Sequence, residues 1–440
     1  MKKLNILLLC NRPVKNADAS TVTDHLDSIS NFSHHNVTQL SFVRQLPACL
    51  NLARFDVVVI HYSIAIGYMS EHYIGEAARQ LIRDFDGLKV VFIQDEYRAV
   101  NTVLATLEFL KVDVLFTCVP DGEIEKVYPK QVLPNVVKVN TLTGYVPDKL
   151  LAYPAPKTAE RKLDMGYRTR KPPFWLGELG YEKWNISDRF LALTQNSGLS
   201  LDLSHDESKR IYGERWIEFV ASCKTMLGVE SGASVFDFEG NLQQQVDLYV
   251  SEHTEATFHD VQDKFLHPYE GLIRLNQISP RCFEAAALKT VLVLFEGEYS
   301  GILQPWRHFI PLKKDFSNLD QVISKIRDNQ FMQEMADRAY EEVANNPRYS
   351  YKAFVSHFDE VISDAFVKLN KVSSANPYTS MRYKMDIALS IRFVVRRLLS
   401  DSLQKILLGT SMRSLVFKIW GNVPFNARNM LRPLLRIVGR

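Results

Sequence analysis

Ile278-Ser279-Pro280-Arg281-Cys282-Phe283-Glu284-Ala285-Ala286-Ala287-Leu288-Lys289-Thr290-Val291-Leu292-Val293 reads as a short helix that runs straight into a buried strand. Proline does no harm in a first helical turn, where its missing N–H would have no intrahelical acceptor, so a helix is expected over Pro280–Leu288. The apolar run Val291–Phe295 is short and uninterrupted, as strands covered on both faces read. Three alanines let the helix lie close on that strand. Glu284 offers a carboxylate able to accept both hydroxyls of a ribose, and the helix N-terminus favours a phosphate. On composition alone, an acidic residue in an ordinary first turn is an equally good account.

The same alternation extends in both directions. Upstream, Lys162–Tyr167, Ser200–Leu203 and Thr225–Val229 read as strands, and Leu179–Leu193 and Glu207–Cys223 as helices. Residues 231–275 read as an irregular, polar-aromatic insertion. Downstream, helical periodicity is strong over Asn318–Ile326, Asn329–Asn345 and Tyr351–Val367. In the first half, Asn5–Cys10, Asp56–His61, Lys89–Gln94 and Asp113–Val119 are short apolar strands with helices over Tyr73–Phe85 and Ala99–Leu110 between them. Strands alternating with helices imply βαβ units and parallel sheets, an α/β fold of two Rossmann-like domains. Tyr153-Pro154-Ala155-Pro156-Lys157 interrupts the first series and Ser373-Ser374-Ala375-Asn376-Pro377 the second. The expected domains are therefore 1–155, 156–370 and a basic helical tail, 371–440.

Ligands of such sheets bind at the carboxyl ends of the strands. That rim of the first half carries His61, Asp95 and Glu96, a histidine whose ordinary pKa suits proton transfer and two carboxylates that could deprotonate or orient a hydroxyl. They are candidates for a catalytic base should this half hold an acceptor. A histidine at a strand end more often serves structure. In the second half, Val229-Glu230-Ser231-Gly232-Ala233-Ser234 and Phe295-Glu296-Gly297-Glu298-Tyr299-Ser300-Gly301 end strands. They nominate Glu230, Ser231 and Gly297 as contacts of a ligand, or else as ordinary polar turns.

Composition limits the functions open to the chain. With 46% hydrophobic and 23% charged residues among 440, it is a globular protein rather than a disordered one. Five scattered cysteines without a CxxC pair support neither a disulfide framework nor a zinc site, and fit a reducing cytoplasm. No uncharged stretch is long enough to span a bilayer. The net charge of +3 is unevenly spread: residues 381–440 carry a net +10 and the rest a net −7.

The Pro280–Val293 run resembles the nucleotide-binding helix of GT-B glycosyltransferases, and most closely the CgeB-like bacterial families, in which a P-R-x-F-E-A-A run recurs. The resemblance covers roughly residues 160–365. It implies two domains facing across a cleft, with the first taking the acceptor and the second a nucleotide sugar. Glu284 matches the family glutamate that holds the ribose, and Arg281 lies in the same run. Leu163-Asp164-Met165-Gly166-Tyr167-Arg168-Thr169-Arg170 and Gly180-Tyr181-Glu182-Lys183 match the Gly-Arg strand end and the following lysine. Arg168 and Lys183, with Arg170 in reserve, would neutralise the diphosphate leaving group, on which charge concentrates as the sugar departs. The family's Gly and Pro are Lys289 and Val291 here. Its second glutamate falls on Asn276, with Glu270 as a substitute from the preceding loop. The resemblance implies no cofactor beyond the nucleotide sugar and no catalytic metal.

The tail shows apolar Ile387, Ile391, Val394, Val395, Leu398, Leu399, Ile406 and Leu407 among Lys384, Arg392 and Arg396, and Leu415–Trp420 and Leu431–Val438 continue the pattern. A basic amphipathic helix suits an anionic membrane, and packing on the protein is the other use. No stacking platform or recognition motif accompanies the charge, so nucleic acid is not expected as a partner. The sequence thus points to a cytoplasmic glycosyltransferase, peripheral at the inner face of the membrane if the tail docks there. It would use a nucleotide diphosphate sugar and a glycan or glycolipid acceptor. A GT-B nucleotide-sugar epimerase and a non-catalytic scaffold on a decayed GT-B fold are the alternatives.

Overall fold

In the computed structural model, which describes residues 2–14, 20–68 and 70–407, the apolar runs become the central strands of two parallel sheets. The first sheet comprises β1 (Asn5–Cys10), β2 (Asn36–Ser41), β3 (Val57–Ile60), β4 (Leu88–Ile93), β5 (Val114–Thr117) and β6 (Val137–Asn140). Its order is β2-β1-β3-β4-β5-β6, with every pair parallel. β3, β4 and β5 are buried throughout, which is why they read as continuous apolar runs. β2 and β6 stand at the edges and are mostly half-exposed, so NVTQLS and VKVN carry no such run and the sequence pattern passes over them.

The second sheet comprises β7 (Leu163–Arg168), β8 (Leu201–Ser204), β9 (Cys223–Gly228), β10 (Val291–Phe295) and β11 (Phe309–Leu312). They are ordered β11-β10-β9-β7-β8, again all parallel. Register sets Val293 opposite Leu227 and Ile310, and each such fully buried aliphatic side chain contributes about 1.5–3 kcal/mol.

The helix Pro280–Ala287 forms as expected with proline in its first turn. Phe283 and Ala285–Ala287 bury into a cluster with Met226, Leu292, Leu294, Tyr299 and Phe309. Its far end is fixed by a buried arginine. Arg161 donates through Nη1 to Cys223 O at 2.9 Å and Thr290 Oγ1 at 2.5 Å. Its Nη2 reaches Leu288 O at 2.8 Å and Pro156 O at 3.0 Å. A cation at a helix C-terminus complements the helix dipole. Burial lowers its pKa to about 10, which still leaves it charged at neutral pH.

Two expectations about elements change. The helix expected over Glu207–Cys223 is a single 3₁₀ turn, Glu207–Lys209, followed by a helix over Glu214–Ser222, because the chain turns at Gly213 with φ 63°. The stretch 231–275 contains the helices Leu242–Glu252 and Phe258–Val261. Thr257 and Asp260 form a reciprocal capping box on the second, a local signature that the aromatic residues around it obscured.

The chain forms two compact units. One gathers Met1–Thr141, Asp237–Gln244 and Val355–Arg440; the other gathers Leu142–Phe236 and Gln245–Phe354. The expected cuts at 155 and 370 differ from these. Residues 142–155 join the second unit through Val146 and Leu150 in the cluster around Phe283. Residues 355–368 join the first through Phe358, whose ring lies 5.7 Å from both Phe92 and Phe116. The described part of the tail, the helices Ser380–Leu389 and Ile391–Leu407, belongs to the first unit. Leu415–Trp420 and Leu431–Val438 lie outside the described residues.

Candidate functional site

In the second turn of the Pro280–Ala287 helix, Glu284 is half-buried. Trp216, projecting from the Glu214–Ser222 helix, donates its indole N–H to Glu284 Oε2 at 2.8 Å, which orients the carboxylate. Arg281, one turn earlier, holds its guanidinium 5.5 Å from the Trp216 ring and 6.0 Å from the ring of Tyr167 near the end of β7. One end of the sheet thus gathers a fixed carboxylate, a half-buried cation and two aromatic rings. No motif announced Trp216; it lies in an ordinary amphipathic helix, and only the packing of that helix beside Glu284 gives it a role.

Arg168 is directed elsewhere. Its Nε donates to Lys209 O at 3.1 Å, its Nη1 to Tyr167 O and Asp202 O, and its Nη2 to Asp202 Oδ2 at 2.7 Å. The guanidinium also lies 4.5 Å from the Phe219 ring, and its side chain is only 10% exposed. These bonds make it a fastener between β7 and β8, and the cation that shares Trp216 with Glu284 is Arg281. Lys183 turns a third way, its Nζ donating to Gly232 O at 2.9 Å. Arg170, just past the strand, is exposed. The acid and the two cations expected to share one pocket are thus each held by different partners.

The loop after β9 organises the rest. Glu230 is 8% exposed and accepts from Glu298 N at 3.0 Å, Tyr299 N at 2.8 Å and Asn276 Nδ2 at 2.6 Å. A β-carbon at Gly297 would meet the Glu230 carboxyl at 2.7 Å, so glycine there is a condition of that bonding. Asn276, where the resemblance places a second glutamate, is hydrogen-bonded to a carboxylate supplied by the loop after β9. Ser231 exchanges backbone bonds with Gln277, and Gly232 at φ 106° brings the chain so near Leu275 O that a β-carbon would lie 1.7 Å from it. Glu270 Oε1 accepts from Glu178 N at 3.0 Å and Ser234 Oγ from Leu179 N at 3.2 Å. Glu270 therefore caps the helix Glu178–Leu193, serving a helix start rather than standing in for Asn276.

In the first unit the three candidate bases differ sharply in exposure. His61 is fully buried; its Nδ1 accepts from Ser63 N at 3.0 Å, so its proton sits on Nε2, 3.0 Å from His25 Nδ1. Burial lowers the pKa of His25 to about 3. With both ring nitrogens engaged, His61 is a core histidine and does not reach the open rim. Glu96 is 1% exposed and accepts from Thr117 Oγ1 at 2.6 Å and Cys118 N at 2.9 Å. Burial raises its pKa to about 8, which suits an internal acid rather than a base at neutral pH. Asp95 is exposed, at φ 59°, with Tyr97 Oη donating to its Oδ1 at 3.0 Å.

His34, His35 and Asp359 form the cluster among the described residues whose chemistry could suit a metal ion. Leu4 N donates to His35 Nδ1 at 3.2 Å, which fixes the proton on Nε2, facing Ser363 Oγ at 3.2 Å. Asp359 accepts from Ser33 Oγ, His34 N and His34 Nδ1 at 2.7–2.9 Å. In this arrangement the cluster fastens the Tyr351–Lys368 helix to the start of β2.

No protein-family model matches the chain, and no curated protein matches it by sequence. Among solved structures, it is similar to an alpha-glucosyltransferase in complex with UDP-glucose and DNA containing an abasic site. That match has 13% identity and TM-score 0.53, covering 82% of this chain and 100% of the other. A second structure of an alpha-glucosyltransferase, with UDP and a 13-mer DNA containing a HMU base, matches at 13% identity and TM-score 0.50, covering 82% and 99%. HepE of Anabaena in complex with UDP matches at 10% identity and TM-score 0.46, covering 82% and 100%. The fold is that of the GT-B glycosyltransferases, two parallel Rossmann-like sheets with their helices.

Proposed function

We propose that the chain is a glycosyltransferase that moves a sugar from a nucleotide diphosphate sugar to a cell-surface glycan or a lipid-linked acceptor. The observation that carries this reading is the Trp216-held Glu284 carboxylate, with Arg281 one turn earlier on the same helix of a GT-B fold. Glu284 would accept the ribose hydroxyls, and its carboxylate is already oriented by the indole. Arg281 would meet the negative charge that builds on the diphosphate as the sugar leaves, with exposed Arg170 as a second cation. Charge met by guanidinium groups needs no metal ion, and the nucleotide sugar is the only small molecule required. Asp95, the exposed carboxylate among the three candidates, would orient an acceptor hydroxyl. The free state of all five cysteines supports a reducing, cytoplasmic setting. DNA is present in the two alpha-glucosyltransferase complexes just compared, and no stacking platform or recognition motif in this sequence supports carrying it over.

The bonds that occupy Arg168 and Lys183 favour one competing reading, a scaffold that has lost donor chemistry. Thermal unfolding in the presence of UDP-, GDP- and ADP-linked sugars separates the two. A catalyst is stabilised by one nucleotide family, by about 2.7 kcal/mol when ligand reaches a hundred times its Kd. Glu284→Ala should abolish that shift, and Trp216→Phe, which removes one hydrogen bond to a charged group, should weaken binding about tenfold. The absence of any shift with all three families would leave the scaffold. A free sugar released in the absence of an acceptor, with one ring carbon inverted relative to the donor, would instead indicate an epimerase.

A further inference from the structure

The two helices of the tail show which of their sides faces the protein. Tyr383 Oη donates to Gln39 O at 3.3 Å, and Cys49 N donates to Ser390 Oγ at 3.2 Å. Asp386 is buried and accepts from Tyr378 Oη at 2.8 Å. Arg397 donates to Arg12 O at 3.1 Å, and half-buried Phe393 and Val394 lie on the same side. The opposite side is apolar. Met381, Met385 and Leu389, then Ile391, Val395, Leu398 and Leu399, are 46–74% exposed.

Positions 391, 395, 398 and 399 follow the spacing of the stripe that a helix in a water-soluble protein turns to its core. Here the stripe faces outward. Exposed Arg382, Lys384, Arg392 and Arg396 border it, while the carboxylate of the first helix, Asp386, is buried beneath and paired with Arg382 at 3.1 Å. An exposed apolar row of this kind on a helix marks an interaction site.

We infer that this face docks on an anionic phospholipid bilayer, with the apolar row in the boundary between headgroups and acyl chains and the four cations against lipid phosphates. Charge selects this occupant. A second copy laid on the same patch by two-fold symmetry would bring Arg392 and Arg396 against their own counterparts. None of the described helices is long and apolar enough to cross a membrane, so the contact lies in the plane of the surface. Arg397 joins the docking helix to Asn11 and Arg12, immediately after β1, so the carboxyl rim of the first sheet is tethered next to the lipid. The inference stands independently of the transferase reading and gives that reading a place to meet a lipid-linked acceptor.

Flotation of the full chain with vesicles tests it, without any nucleotide. Vesicles with about one third phosphatidylglycerol should carry the protein up, and vesicles of phosphatidylcholine alone much less, with binding falling as salt is raised. Leu398→Asp with Leu399→Asp should abolish flotation at an unchanged melting temperature, since both side chains are already in water. Arg392→Glu with Arg396→Glu should lower partitioning by at least about fivefold for each cation removed. Failure of the wild-type chain to float, or flotation unaffected by either pair of changes, would overturn the inference. So would a dimer in light scattering that dissociates in the leucine double variant while no vesicle binds the wild type.

Discussion

Glu96, after β4, and Glu284, in the helix before β10, are carboxylates placed by the same kind of architecture and put to opposite uses. Glu96 turns into the first unit, where Thr117 and Cys118 hold it and burial keeps its proton on. Glu284 stays half-buried, held by an indole N–H from a neighbouring helix with an arginine alongside. A carboxylate held inside the fold serves as a fastener, while one oriented near the surface can bind a ligand. The same contrast separates Arg168 from Arg281. Position at a strand end makes a residue available to the rim, but the partners it finds there decide whether it faces outward.

The largest expected effect concerns the scaffold under the outward-facing group. Arg161→Ala leaves the carbonyls of Leu288, Cys223 and Pro156 without their donor at the far end of the Glu284 helix. Denaturant unfolding should register a loss of about 3 kcal/mol; a loss below about 0.5 kcal/mol would mean that the helix is held by its apolar face alone. The inward-facing group gives a pH signature. An acid whose pKa rises on folding binds more protons in the native state. Stability therefore falls as pH climbs from the ordinary 4.5 towards about 8, and levels off beyond. Glu96→Gln should flatten that part of the profile, so melting temperatures of the two proteins should diverge steadily across this range. Parallel profiles would show that Glu96 is ionised in the fold and would undo the comparison. The smallest effect belongs to the end of the Glu284 helix. Lys289 has φ 53°, a conformation that favours glycine, and its Nζ reaches Asp337 at 2.7 Å across a half-exposed pair. Lys289→Gly should gain a few tenths of a kcal/mol, relief of backbone strain slightly outweighing the lost ion pair. A loss above about 1 kcal/mol would show the ion pair to be the stronger term.

Lys289 also shows what the sequence could reveal. The resemblance expects glycine at that position, and the left-handed backbone is there although the glycine is not. Central strands and the Glu284 helix were legible because burial on both faces leaves an apolar run and because proline and alanine have positional meanings. Edge strands β2 and β6 left no such trace. The directions of Arg168, Lys183 and Glu270 were not legible at all, since each depends on an acceptor or donor contributed by another element: Asp202, Gly232 and Glu178. Trp216 escaped for the same reason. Spacing along the chain reports which residues arrive at an edge, whereas hydrogen bonds formed there depend on distant segments.

The first unit takes its closing helix from residues 355–368, after the whole of the second unit has been passed. On a ribosome, β7 to β11 and their helices would all have emerged while Phe92 and Phe116 still lacked Phe358 against them. The half that starts synthesis therefore cannot be completed until the chain of the other half has emerged. A chain cut after residue 354 would retain every strand of the first sheet and lack the side chain that covers its middle.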